Sequence, residues 1–136
     1  MRYKLTLSVA LGALMLLCNG CKETLDQRFE REARAFTEKN CPKDIDRYTT
    51  LDSTTYNPAT KTYAYVFTVK NELDMDSLYT DDVVDELRST YLKDIRNSIQ
   101  MKDMKDAGLT IEHIYRSQKT GKVLMHFVFT KKSYAF

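Results

Sequence analysis

Apolar residues recur along the chain at helical spacing in two places. Between residues 25 and 39 they lie three or four positions apart, which is the period of one helix face. The same spacing returns between residues 81 and 100. The two stripes consist of Leu25, Phe29, Ala33 and Phe36, and of Val84, Leu87, Tyr91, Ile95 and Ile99. This pattern predicts two amphipathic helices, the first stopped by Pro42 and the second starting after Thr80.

Strand-like segments follow each helix. Residues 47–56 and 62–69 are rich in Thr, Tyr and Val and flank the turn sequence NPATK. Residues 109–115 and 123–130 flank SQKTGK, in which Gly121 suits a left-handed turn position. Each pair of segments is predicted to form an antiparallel hairpin.

The apolar pattern also selects a register for the second hairpin. If Lys119–Gly121 is the loop, facing residues have numbers that sum to 240, so Ile111 faces Phe129 and one face is apolar. A slip of one residue would put Glu112 into that layer. The order of elements then predicts a single α+β domain over residues 25–136, helix-hairpin-helix-hairpin (αββαββ). We expect a four-stranded antiparallel sheet with two helices on one face.

The opposite sheet face is then left open. On the second hairpin, six residues are predicted to point away from the helices and to form a half-apolar surface. They are Glu112, Ile114, Arg116, Leu124, His126 and Val128. This face is a candidate partner surface, dimer interface or ligand-binding floor, and the alternative is an ordinary mixed sheet face.

The first twenty residues have a pattern of their own. The basic opening MRYK precedes an apolar run from Leu5 to Cys18, about 14 residues long and shorter than the roughly 20 that span a bilayer. The run has no polar face, which argues against a buried amphipathic helix. Residues 1–20 are therefore predicted to be a signal peptide that is removed on export.

Residues 17–21, LCNGC, resemble the lipobox of bacterial lipoproteins. Gly20 fits the small residue before the acceptor, whereas Cys18 and Asn19 stand where Leu and Ala or Ser are usual. The resemblance implies that Cys21 becomes the first mature residue and carries acyl chains such as palmitate, which anchor the protein to a membrane.

The same resemblance makes residues 21–24 a short tether, and Lys22 is compatible with sorting to the outer membrane. Cys41 would then be the one cysteine left without a lipid, so the mature chain forms no internal disulfide. The segment NCPKDIDRYTTLDS and the later KDAGLTIEHIY also resemble small exported bacterial proteins of unknown function.

Charge and motifs restrict the chemistry. The chain has 21 basic and 19 acidic residues, and the surplus, Arg2 and Lys4, lies in the leader, so the rest is balanced and nucleic acid is not expected as a partner. His113, expected to be satisfied by a neighbour in the apolar layer, and His126 fall on opposite faces, so no metal site is predicted. Seven acids between residues 72 and 86 lack the spacing of a calcium loop.

No catalytic residues and no cofactor are predicted, because the chain contains neither a phosphate-binding loop nor a GxSxG elbow. The favoured hypothesis is an exported, lipid-anchored and non-catalytic module that binds a protein or glycan of the cell envelope. A small hydrolase with an unrecognised site and a structural envelope lipoprotein are the alternatives.

Overall fold

The computed structural model describes residues 22–136. The elements in chain order are α1 (Leu25–Asn40), β1 (Lys43–Asp44), β2 (Thr49–Asn57), β3 (Thr62–Val69), α2 (Asp81–Asn97), α3 (Lys102–Asp106), β4 (Thr110–Ser117), β5 (Val123–Phe129) and α4 (Lys131–Tyr134). Two 3₁₀ turns, Asn71–Leu73 and Asp76–Leu78, join β3 to α2. The predicted signal peptide and the predicted lipid site, Cys21, lie outside the described residues.

Helix α1 begins at a capping box and ends where the sequence predicts. The Thr24 hydroxyl accepts from the Gln27 backbone N–H, and the Gln27 side chain accepts from the Thr24 N–H. These two bonds satisfy donors that a helix N-terminus otherwise leaves without partners. The helix stops at Asn40, immediately before Cys41 and Pro42.

The five strands form one mixed sheet in the order β1-β2-β3-β4-β5. The prediction of four antiparallel strands is wrong in two respects. A two-residue strand, β1, pairs with Leu51 and Thr50 of β2, and the central strands β3 and β4 run parallel. They run parallel because α2 carries the chain back along the sheet, so that β4 starts from the same end as β3.

The predicted register of the β4–β5 hairpin is confirmed from Ile111↔Phe129 to Tyr115↔Met125. The loop is nevertheless one residue longer than predicted, because the Ser117 N–H donates to the Lys122 carbonyl and closes the loop around residues 118–121. Gly121 takes the left-handed conformation expected of it, with φ of 70°. A register shift after Tyr115 makes up the difference, and it leaves Leu124 as the extra residue of a β-bulge.

Helices α1 and α2 cover the same face of the sheet, as predicted. Helix α1 contributes Phe29 and Ala33 to a buried cluster, and α2 contributes Ile95 to another. The sheet residues buried against them are Tyr56, Tyr63, Val69, Ile111, Tyr115, Met125, Phe127 and Phe129. Residues that alternate with these form the opposite face, which no helix of the described chain covers.

Candidate partner-binding surface

Four of the six predicted surface residues come together on the open face. Strand pairing sets Glu112 opposite Val128, and Ile114 opposite His126. The parallel neighbour β3 extends the same face, with Ala64 beside Glu112 and another apolar residue, Val66, beside Ile114. The result is a half-apolar patch over three strands, of the kind that the sequence predicts.

The other two predicted residues lie next to the register shift. Arg116 is exposed and continues the open face beside Thr68 of β3, although the shift sets it opposite Val123. Leu124 is half-buried at the bulge and packs against the core beneath the helices. The bulge therefore separates Leu124 from the open face, whereas a strict alternation along β5 would have kept it there.

An ion pair lies within this patch. The His126 imidazole contacts the Glu112 carboxylate. The two residues are diagonal neighbours, because Glu112 lies two positions before Ile114, which is directly opposite His126. His126 is about half exposed and Glu112 is less exposed, so the pair lies at the surface rather than in a closed site. Such a pair orients the two side chains but adds little stability.

Strand β5 forms an edge of the sheet that residues 22–136 build. Thr110 donates its N–H to the carbonyl of Lys61, just before β3, and Gln118 donates to that of Val69, at the end of β3. The even-numbered residues of β4 therefore bond to β3, and the odd-numbered ones bond to β5. On β5, the backbone N–H and C=O groups of the odd-numbered residues point toward β4. The N–H and C=O groups of His126 and Val128 point the other way, away from the sheet. No strand pairs with these groups within residues 22–136, and an unpaired edge is a template for an added strand.

The opposite edge, at β2, is covered. Strand β1 pairs with one end of it, and Thr37 of α1 closes the next position. The Thr37 hydroxyl accepts from the Thr54 N–H at 2.8 Å and donates to the Thr54 carbonyl at 2.9 Å. A side chain thus takes the place of a neighbouring strand, and the two edges of the sheet differ in their capacity to accept one.

His113 lies on the helix-covered face within a cage of aromatic rings. Tyr65, Phe67, Tyr91 and Phe129 pack edge-on around the imidazole, with ring centroids 5.4–5.8 Å away. Burial lowers the pKa of His113 to about 4, because the cage disfavours the charged form. The expectation of a satisfying neighbour is wrong, since Nδ1 has no hydrogen-bond partner among the described residues.

The remaining candidate chemistry concerns metal-ligating side chains and the thiol of Cys41. Within residues 22–136, no group of three or more His, Cys, Asp or Glu side chains is arranged to hold a metal ion. Cys41 is half-buried, and burial raises the pKa of its thiol, which keeps it protonated at neutral pH. No helix in the described part of the chain is long and apolar enough to cross a membrane.

Asp74 is a buried acidic residue whose burial the sequence pattern does not predict. Asp74 is 6% exposed. Its carboxylate accepts from the Ser117 hydroxyl and, at 2.9 Å, from the Lys119 N–H. These bonds hold the pKa of the Asp74 carboxyl below its usual range. Asp74 therefore links the β3–α2 connection to the β4–β5 loop, and these two segments are far apart in the sequence.

The fold defines a class of small α+β proteins in which two helices cover one face of a mixed sheet and the other face stays open. Residues 24–125 match the family described as Domain of unknown function (DUF8479), and the chain belongs to that family. A search of curated proteins finds no match to the sequence.

Three solved structures share this fold at low sequence identity. A protein of Pseudomonas aeruginosa assigned as secreted is 13% identical, with a TM-score of 0.67 over 79% of this chain and 90% of that one. The pilotin EpsS of the Vibrio vulnificus type 2 secretion system is 15% identical, with a TM-score of 0.62 over 87% and 99%. The type II secretion system pilotin AspS of Vibrio cholerae is 13% identical, with a TM-score of 0.56 over 79% and 90%.

Proposed function

We propose that this protein is an exported lipoprotein of the cell envelope, anchored through Cys21 to the outer membrane, that binds another envelope protein without catalysing a reaction. The observation that carries the binding role is the bare edge of β5 beside the open sheet face. There, outward backbone groups of His126 and Val128 adjoin a half-apolar patch that includes Ile114.

The unpaired backbone favours a protein partner over a glycan. An extended polypeptide placed beside β5 would satisfy the outward N–H and C=O groups with main-chain hydrogen bonds. Its side chains would alternate, with every second one lying over the patch around Val128 and Ile114. The covered edge at β2 offers no equivalent site, because Thr37 occupies the position of a neighbouring strand.

The fold comparison supports the same role. Two of the solved structures that share the fold are pilotins of type 2 secretion systems, which favours a binding protein that works with larger envelope components. The leader resemblance supports the location, because export followed by acylation at Cys21 would hold the domain at a membrane surface.

The binding role is tested with a photo-crosslinking amino acid at Val128 in the full chain, in the native cell. We expect a discrete protein adduct from Val128 and none from a control position, Lys39, on exposed α1. The decisive pair of variants is His126→Pro and His126→Ala. Proline removes the outward N–H without breaking a bond to β4, so it abolishes the adduct, whereas alanine keeps the backbone group and most of the adduct.

Equal adducts in the proline and alanine variants would contradict pairing along β5. The anchor is tested separately by mass spectrometry of the native protein, in which we expect the first residue to be Cys21 with acyl chains attached. An intact Met1 or an unmodified thiol at position 21 would overturn the anchor and leave the test of the β5 edge unaffected.

A further inference from the structure

Four large apolar side chains are exposed in the connection between β3 and α2 and in the first turn of α2. Leu73, Met75, Leu78 and Val83 lie within eleven consecutive residues and are 40, 49, 39 and 38% exposed. Single exposed apolar residues are common on protein surfaces, but a group confined to one short segment is typical of an interaction site. We call the four side chains together the connection surface.

Several hydrogen bonds hold this segment in place from below. The buried Asp74 carboxylate accepts from the Lys119 N–H, and the Tyr79 hydroxyl donates to the Leu73 carbonyl at 2.7 Å. The Asn71 side chain donates to the Arg47 carbonyl at 2.5 Å, and the Tyr79 ring packs against the core. The apolar side chains are thus presented outward on an ordered support, which lowers the entropic cost of binding.

The segment that carries the connection surface is acidic, and two basic residues, Arg47 and Lys119, lie beside it. Residues 71–86 contain no Lys or Arg and seven acids, of which all but Asp74 are exposed. Glu72 pairs with Arg47. Among the described residues, the other five exposed acids form no ion pair. They are Asp76, Asp81, Asp82, Asp85 and Glu86.

This combination selects one kind of occupant. We propose that the connection surface docks a basic, amphipathic segment of a partner protein, whose apolar side chains contact Met75 and Leu78 and whose Lys or Arg residues face the surrounding acids. A second copy of this chain docked through the same surface would set acids against acids, and anionic lipid would be repelled in the same way. The proposal goes beyond the proposed function, because this surface is separate from the outward backbone of His126 and Val128.

The probe is a fluorescent, amphipathic Lys/Leu peptide, titrated against the full chain in nanodiscs of neutral lipid, with empty discs as background. Two variants remove the two kinds of contact. We expect Met75→Ser with Leu78→Ser to raise the Kd about tenfold, and Asp76→Asn with Glu86→Gln to raise it several-fold at low salt and hardly at all in high salt.

Matched controls keep the test specific. Ile99→Ser removes an exposed apolar side chain elsewhere, and Glu30→Gln with Glu38→Gln removes two charges from α1. Both controls are expected to bind the peptide like the parent, and circular dichroism checks that every variant is folded. The Val128 crosslink measured in these variants reports separately on the proposed function.

Three results would overturn the proposal: equal weakening by the control variants, equal binding of a Glu/Leu version of the peptide, or a change in oligomeric state on Met75→Ser with Leu78→Ser. The last result, measured by light scattering, would mean that a second copy covers the surface.

Discussion

The two faces of the sheet are built from the same strands but differ in burial. Phe127 is fully buried under the helices, whereas its chain neighbour Val128 is 43% exposed on the open face. Alternation along a strand sends consecutive side chains to opposite sides, so each strand contributes to both faces. The covered face contains the apolar packing that stabilises the fold, and the open face is free to change without loss of the core.

The two histidines show the same difference in a single residue type. His113 lies in an aromatic cage, where burial lowers its pKa to about 4. His126, on the adjacent strand but the opposite face, is half exposed and pairs with Glu112. The sheet thus separates a histidine that is kept neutral from one that meets solvent and a carboxylate.

The largest effect is expected from truncating the covered face. Phe127→Ala removes a ring that packs against Tyr91 and Tyr115, and the cavity left behind should lower the free energy of unfolding by about 3–5 kcal/mol. Val128→Ala, one residue along, should change it by less than about 1 kcal/mol. Urea unfolding of both variants measures the contrast, and similar losses would contradict the assignment of the faces.

The second prediction concerns acid. Because the unfolded chain binds a proton at the ordinary histidine pKa of 6.5 and the folded chain only near 4, His113 makes the protein less stable as the pH falls through this interval. The slope should approach about 1.4 kcal/mol per pH unit. Unfolding measured from pH 7 to 4.5 should show this loss, and His113→Phe should remove it.

His126→Gln serves as the control for that experiment and should retain the pH dependence. The lower limit of pH 4.5 matters, because carboxylates with lowered pKa values, among them Asp26, Asp44 and Asp74, lose their native-state bonds in more acidic solution. If His113→Phe unfolds with the same pH dependence as the parent, the buried imidazole is not its source.

A smaller effect is expected where α1 meets β2. Thr37→Val removes the hydroxyl that serves both backbone groups of Thr54, a residue only 3% exposed, and leaves them without partners. We expect a loss of about 1–3 kcal/mol in the free energy of unfolding. Thr55→Val, on the open face, should be close to neutral, and a comparable loss there would show that the hydroxyl of Thr37 has no special role.

The smallest effect is expected for the ion pair on the open face. A double-mutant cycle with Glu112→Gln and His126→Gln should give a coupling of less than about 1 kcal/mol, because the pair is exposed to solvent. A larger coupling, measured by urea unfolding at pH 6, would mean that the open face also stabilises the fold.

Local periodicity predicts much of this structure. The stripe that includes Phe29 and Ala33 places α1, and the alternation from Ile111 to Tyr115 sets the β4–β5 register. Periodicity does not report which strands become neighbours, so it does not predict the parallel pairing of β3 with β4. Strand β1 is not predicted either, because a strand of two residues has no period of its own.

The candidate site shows the same limit. Glu112, Ile114, His126 and Val128 follow from the register, but Leu124 departs from it because the bulge depends on the length of the loop. Asp74 was missed for another reason. Its bonds go to residues 117–119, more than forty positions away, and nothing near Asp74 in the sequence signals them.

The parallel pairing of the central strands also constrains how the chain is assembled. Thr62 pairs with Asn57 within the first hairpin, but its partner on the other side, Thr110, comes 48 residues later, so one edge of β3 stays uncovered while the intervening segment is synthesised. Any truncated product that ends before β4 keeps an open ladder of Tyr-rich sequence along β3, a surface prone to aggregate. Pairing of β4 with β3 covers that ladder and moves the open edge of the sheet to β5.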